Sequence, residues 1–252
     1  MLDFERYLGE LRIQGALLRA SAALAGTAAA VPSCPGWTVG DLVRHTAKVH
    51  QWATAILSGG ESAAFQFSPP PDSRLFDAYD RGLAALLSRL RASAESPAAE
   101  SGLPPVWTPV AAASATLFWA RRQAHETAIH GVDAQLAAGY GVRDFAPEFA
   151  ADGVAELLTD LAVRRFDTAA MPGRRTISLT PLDVNESWTL SAGPEGVSCR
   201  LAADDQPDLS VFGLADELYR WAWNRAGDDE VALRGDLSLA DRWRHDFTVG
   251  SR

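Results

Sequence analysis

The spacing of apolar residues changes character near residue 168, and that change constrains the fold more than any other feature of the chain. Before it, apolar positions recur three and four apart; after it, short runs alternate polar with apolar residues. Leu8, Leu11, Gly15 and Leu18 mark one face of an opening helix. Pro32 to Gly36 supplies turn chemistry, and Thr38-x-x-Asp41 has the form of an N-terminal capping box ahead of a second helix. That helix is expected to carry Leu42, His45, Val49, Trp52 and Ile56 on one buried stripe. Leu75, Tyr79, Leu83, Leu86 and Leu90 predict a third helix, and the Ser/Ala/Pro-rich stretch 93–105 a loop. A fourth helix is expected from about Ala111 to Ala138, stopped at Gly139, and a short fifth from about Phe149 to Phe166.

Beyond Pro172, Thr176–Thr180, Ser187–Leu190 and Gly196–Leu201 alternate in the manner of strands, separated by Gly, Pro and Asn. Ser210 to Ala226 predicts an amphipathic helix, Val231–Leu233 a short strand, and Leu239–Trp243 a last helical turn. The expected organisation is a helical bundle over 1–168 followed by a small α+β domain over 169–252.

Charge and cysteine usage exclude several functions. With 23 basic against 32 acidic residues the net charge of -9 repels a phosphate backbone, and no basic run is set apart, so no nucleic-acid partner is expected. The two cysteines, Cys34 and Cys199, form neither a disulfide framework nor a thiolate metal site by spacing. Asp3, Glu5, Arg6 and Glu10 open the chain in place of a basic start and an apolar run, which predicts a cytoplasmic protein. The alanine-rich tract Ala20–Val31 is too short to span a bilayer.

The chemistry concentrates in His125-Glu126-Thr127-Ala128-Ile129-His130. Glu126 and His130 are four apart and share one helix face, a spacing at which a carboxylate and an imidazole can grip one metal ion. The metalloprotease pattern His-Glu-x-x-His needs a histidine where Ile129 stands. A Glu–His hydrogen bond on a solvated face gives the same spacing. His45, on a different helix and an apolar stripe, makes three candidate ligands from two helices, and two imidazoles with one carboxylate leave a position open for water or substrate. His50 and His125 fall off the ligand directions and are expected at the surface or behind the ligands; Trp37 and Trp52 are expected in the core. Cys34 has no cationic neighbour in sequence that would lower its pKa.

Two segments resemble a known family. Pro35-Gly36-Trp37-Thr38-Val39-Gly40-Asp41-Leu42-Val43-Arg44-His45 is similar to the first metal segment of the mycothiol-dependent maleylpyruvate isomerase family, and Arg121 to Asp133 to its second, of the form Arg-x-x-x-x-Glu-x-x-x-His-x-x-Asp. The resemblance implies a DinB-like four-helix bundle that binds zinc, or another divalent metal, through His45, Glu126 and His130. It further implies a C-terminal α+β domain of sterol-carrier type covering a site for mycothiol as thiol cosubstrate. Asp133 is then a candidate to orient a ligand or contact the cosubstrate, and Arg225 aligns with a C-terminal arginine near the active site, Arg220 and Arg234 being alternatives.

The implied activity is attack of an activated thiolate on a small electrophile, ending in cis-trans isomerisation of a maleylpyruvate-like substrate or in transfer of the thiol. The alternative is a non-catalytic module holding a structural metal or an apolar ligand.

Overall fold

A computed structural model describes residues 1–95, 106–163 and 173–246 of the protein. The boundary expected near residue 168, most of the loop expected over 93–105 and the end of the expected fifth helix lie outside these residues. The chain divides into two compact units, Leu2–Arg143 and, together with Met1, Asp144–Arg252.

The first unit is a bundle of four long helices, α1 (Phe4–Ala25), α2 (Val39–Leu57), α3 (Leu75–Glu95) and α4 (Ala115–Ala138), with α1 lying along α4 and α2 along α3. The face expected of α1 is the buried one, with Leu8, Leu11, Gly15 and Leu18 all inside. Gly15 is small for a reason. A Cβ there would come within 2.5 Å of Leu83 Cδ2, and the Tyr79 hydroxyl donates to the Gly15 carbonyl at 3.0 Å, tying α1 to α3. The capping box forms at α2: the Asp41 amide donates to Thr38 Oγ1 at 3.2 Å and the Thr38 amide to Asp41 Oδ2 at 3.0 Å. Helix α4 begins at an Ser114 cap and stops at Gly139, whose φ of 75° is the left-handed turn that glycine adopts without strain.

One expectation for α2 is corrected. Its buried residues are Val39, Gly40, Leu42, Val43, Thr46, Ala47, His50, Ala53, Ile56 and Leu57, whereas His45, Val49 and Trp52 sit at the margin of that stripe. The buried face is rotated from the expected one because α3 packs along one side of α2 while α4 touches it on another. Small residues on the true face, Gly40, Ala47 and Ala53, carry too little hydrophobic signal to reveal it.

The second unit opens with α5 (Pro147–Glu156), continued by a π-helical turn through Ala162, and packed against α6 (Ala215–Ala222). Its sheet has five strands, β1 (Arg175–Pro181), β2 (Trp188–Gly193), β3 (Gly196–Arg200), β4 (Leu209–Gly213) and β5 (Ala232–Gly235), in the order β3-β2-β1-β4-β5. All neighbours are antiparallel except β1 and β4, which run parallel with Leu179 opposite Val211. The helix expected from Ser210 is therefore corrected. Leu209, Val211 and Gly213 are buried in alternation and pair with β1, and the helix begins only at Ala215. A final helix, α7 (Ser238–Asp246), lays Trp243 flat on Trp221, with ring centroids 6.1 Å apart. The whole is a helical bundle followed by a small mixed-sheet α+β domain. Among the described residues, no helix is long and apolar enough to cross a membrane.

Because the capping box supplies both reciprocal hydrogen bonds at the start of α2, Thr38→Ala is expected to destabilise the protein by about 1 kcal/mol. Chemical denaturation checks this: the midpoint should fall with the slope unchanged, and an unmoved midpoint would contradict it.

Candidate metal centre

Helix α2 brings His45 to the same place as Glu126 and His130 of α4, and one donor atom from each lies within 4.8 Å of the other two. The two imidazoles converge on a single oxygen. His45 Nε2 donates to Glu126 Oε1 at 3.2 Å, and His130 Nε2 lies 3.3 Å from the same atom. The second Glu126 oxygen accepts from the Arg122 guanidinium at 3.3 Å, one helical turn before it. The rings of His45 and His130 meet edge to face, 4.9 Å apart.

Asp133 completes the arrangement from behind. It is fully buried, and its Oδ2 accepts from His130 Nδ1 at 2.8 Å, so the other ring nitrogen of His130 is the one turned toward Glu126. The His45 side chain keeps 28% exposure and Glu126 20%, so the cluster is reachable from solvent. Its position at the margin of the α2 stripe, rather than on it, makes this so.

Electrostatics hold the cluster together. Burial alone would raise the Glu126 carboxyl, but hydrogen bonds from His130 and His45 and the charges of His130 and Arg122 keep it well below the ordinary carboxylate range. Burial alone would lower His130, yet hydrogen bonds to Asp133 and Glu126 and the negative charge of both raise it to about 9. Two imidazole nitrogens and one anionic oxygen converging from two helices, with one imidazole fixed by a buried carboxylate, are a donor set suited to a divalent ion such as zinc.

Three residues near the cluster differ from their sequence reading or were not singled out by it. Trp37 is not simply a core residue: it flanks both histidines, its ring 5.1 Å from His45 and stacked 6.4 Å from His130. Nothing in its local pattern distinguishes it from a core tryptophan. Arg122 was detectable as an i, i+4 partner of Glu126. Ser33 donates to Asp133 Oδ1 across a hundred residues of sequence, a contact no local pattern could announce. Trp52, expected in the core, is half-buried at its margin, edge-on to the buried Trp119 at 5.1 Å.

His50 and His125, expected at the surface or behind the ligands, are both fully buried. Helix α4 is buried almost all round, so the direction of His125 also leads into the core, while His50 lies on the true buried face of α2. His50 bonds Thr127 Oγ1 at 2.9 Å, and its Nδ1 has no hydrogen-bond partner among the described residues. His125 meets Tyr7 edge to face.

The three candidate arginines are described within the second unit. Arg220 is committed to Asp216 at 2.8 Å and Glu230 at 2.6 Å, and Arg234 lies exposed on the edge strand β5. Arg225 follows the end of α6, where Asn224 takes a φ of 58° and the Arg225 amide reaches the Arg220 carbonyl at 2.8 Å, a left-handed helix stop. Its guanidinium donates to the Trp223 carbonyl at 2.7 Å.

The chain matches the mycothiol maleylpyruvate isomerase N-terminal domain over residues 8–135 and the MDMPI C-terminal domain over residues 148–242. It belongs to that family. Among solved structures, a mycothiol-dependent maleylpyruvate isomerase matches with a TM-score of 0.63 and 18% identity, covering 92% of this chain and 93% of that one. A histidine-to-alanine mutant of a mycothiol-dependent maleylpyruvate isomerase matches with a TM-score of 0.62 and 17% identity, covering 92% and 93%. At such identity the likeness is one of fold. No curated protein sequence matches the chain. Both family segments quoted from the sequence, 35–45 and 121–133, fall inside the N-terminal family match.

A pH prediction follows from the buried histidines. Burial, only partly offset by the negative charge of Glu126 and aided by the positive charges of His130 and His45, lowers His50 to about 3, below its unfolded value of about 6.5. The unfolded chain therefore takes up a proton that the folded one refuses, and stability falls as pH drops below about 6.5. His130 has the opposite sign, its contribution being complete below about 6.5 and lost as pH rises through about 9. Between pH 6.5 and 5 the slope belongs mainly to His50. Chelator-treated protein should lose on the order of 1 kcal/mol per pH unit there, and His50→Gln should flatten the curve; equal slopes in both proteins would contradict the assignment.

Proposed function

We propose that this family member is a metal-dependent enzyme that uses mycothiol, with zinc or another divalent ion held by His45, Glu126 and His130. The observation that carries the proposal is the convergence of both imidazoles on one Glu126 oxygen in a cluster that solvent can reach. Three protein donors leave coordination capacity for a further ligand, the arrangement of catalytic rather than structural sites. When bound, the ion supplies positive charge that favours thiolate over thiol at neutral pH.

The chain's own residues prepare that site. Asp133 keeps a proton on His130 Nδ1 and so leaves Nε2 for the metal face. His130 and His45, with a smaller contribution from Arg122, hold Glu126 ionised, and the Arg122 guanidinium takes the carboxylate oxygen that the imidazoles leave. On the family resemblance, Arg225 is the arginine proposed to hold a carboxylate of the second substrate, with Arg220 and Arg234 as the alternatives. The reaction class is addition of the thiol sulfur to an electrophilic carbon. On a maleylpyruvate-type substrate, addition to the cis double bond, rotation and elimination return the thiol and give the trans isomer. An electrophile without that option yields a mycothiol conjugate.

Purified protein should contain about one zinc per chain, and His45→Ala and Glu126→Ala should lose most of it. Turnover with mycothiol and an electrophile should stop on chelation and return with zinc. Undiminished metal in the variants, or turnover indifferent to chelator, would sink the proposal. Arg225→Ala should raise KM about tenfold for a carboxylate-bearing electrophile and little for an uncharged one; an equal effect on both would remove Arg225 from substrate binding.

A further inference from the structure

The loop between α1 and α2 is built as one rigid piece. The Val31 amide donates to the Trp37 carbonyl at 3.0 Å, the Cys34 amide to the Val31 carbonyl at 3.1 Å and the Trp37 amide to the Cys34 carbonyl at 3.0 Å. Pro32 and Pro35 restrict its dihedrals, and Gly36 supplies a positive φ of 85° just before Trp37. Outside it, a bridge between Ala30 and Thr38 and a 2.8 Å bond from the Val39 amide to the Ala29 carbonyl fix the loop to the start of α2.

This loop reaches His130 from two directions. Ser33 Oγ donates to Asp133 Oδ1, and Cys34 Sγ lies 3.5 Å from Oδ2, the oxygen that takes His130 Nδ1 at 2.8 Å. Trp37, four residues on from Ser33, stacks on the His130 ring with an interplanar angle of 20°. Asp133 therefore accepts on both carboxylate oxygens, from Ser33 on one and His130 on the other, which fixes the plane of the carboxylate and with it the ring of His130.

We propose that Ser33, assisted by Cys34, is a positioning residue for the metal centre, holding Asp133 so that His130 presents Nε2 to the ion. The inference rests on the metal reading of the cluster, and it makes the α1–α2 loop part of the site although none of its residues is a ligand. A serine hydroxyl is a strong donor to carboxylate and a thiol a weak one, so Ser33 carries most of the effect. Groups that orient a metal-bound imidazole typically change affinity by about 10- to 100-fold, and a residue one bond further out is expected at the low end.

The test is zinc affinity of the full-length protein, measured by competition with a chromophoric chelator, beside the melting temperature of the chelator-treated form. Ser33→Ala should weaken zinc binding about tenfold and, because it removes a donor from a buried carboxylate, lower the metal-free melting temperature by only a few degrees, leaving the protein folded at the assay temperature. Ser33→Thr, which keeps the hydroxyl, should restore affinity, and Cys34→Ala should cost less than Ser33→Ala. The inference is overturned if Ser33→Ala leaves affinity unchanged, if Ser33→Thr is as weak as the alanine variant, or if affinity is lost only in step with metal-free stability. Wild-type protein that takes up no zinc fails earlier, at the metal reading itself, and is told apart from these outcomes by that control.

Discussion

One carboxylate oxygen organises this protein. Glu126 Oε1 receives His45 from α2 and lies beside His130 of its own helix, so the pair four residues apart on α4 becomes a site only because α2 is held across from it. Everything that fixes the two helices relative to each other therefore acts on the cluster. The capping box starts α2 at a defined residue, the Tyr79–Gly15 bond draws α3 and α1 together, and His50 reaches from α2 to Thr127 of α4 beneath the ligands. The buried His50–Thr127 contact joins the same two helices as the His45–Glu126 contact, from the core side.

Charge is graded across the site in a consistent way. Glu126 has a guanidinium and two imidazoles around it, and His130 has a carboxylate on each of its nitrogens. Asp133, without solvent, is satisfied by His130, Ser33 and Cys34. Such a network stays neutral enough to be buried and directional enough to leave a single imidazole nitrogen facing the other donors. It also accounts for the loop chemistry before α2, where a serine, a cysteine and a tryptophan serve the site without being ligands.

Much of this was legible before the structure. The α1 face, the α2 cap, the stop at Gly139 and four of the five strands follow from periodicity and turn residues, because each is a local property of the chain. The ligand triad was a candidate from spacing and gained its reading from two segments that resemble a family. What stayed hidden depends on packing. The buried face of α2 is lined by small residues, so the stronger signal of Leu42, Val49, Trp52 and Ile56 suggested a rotated stripe with His45 upon it. Strand β4 and helix α6 are separated by a single residue, Leu214, and their joint pattern read as one helix. His125 looked peripheral because an off-stripe direction is usually solvent, which fails for a helix buried on nearly every side, and His50 because the expected stripe of α2 was rotated away from its true buried face.

The central claim is a metal held by two imidazoles and a carboxylate with room for a thiol sulfur. Cobalt(II)-substituted protein titrated with mycothiol tests it most directly, because a thiolate bound to cobalt adds an intense sulfur-to-metal charge-transfer absorption that nitrogen and oxygen donors do not give. The account predicts that this band grows to saturation at one thiol per chain in the wild type and is absent in His45→Ala. A spectrum unchanged by the thiol, or an equal band in the variant, would contradict it.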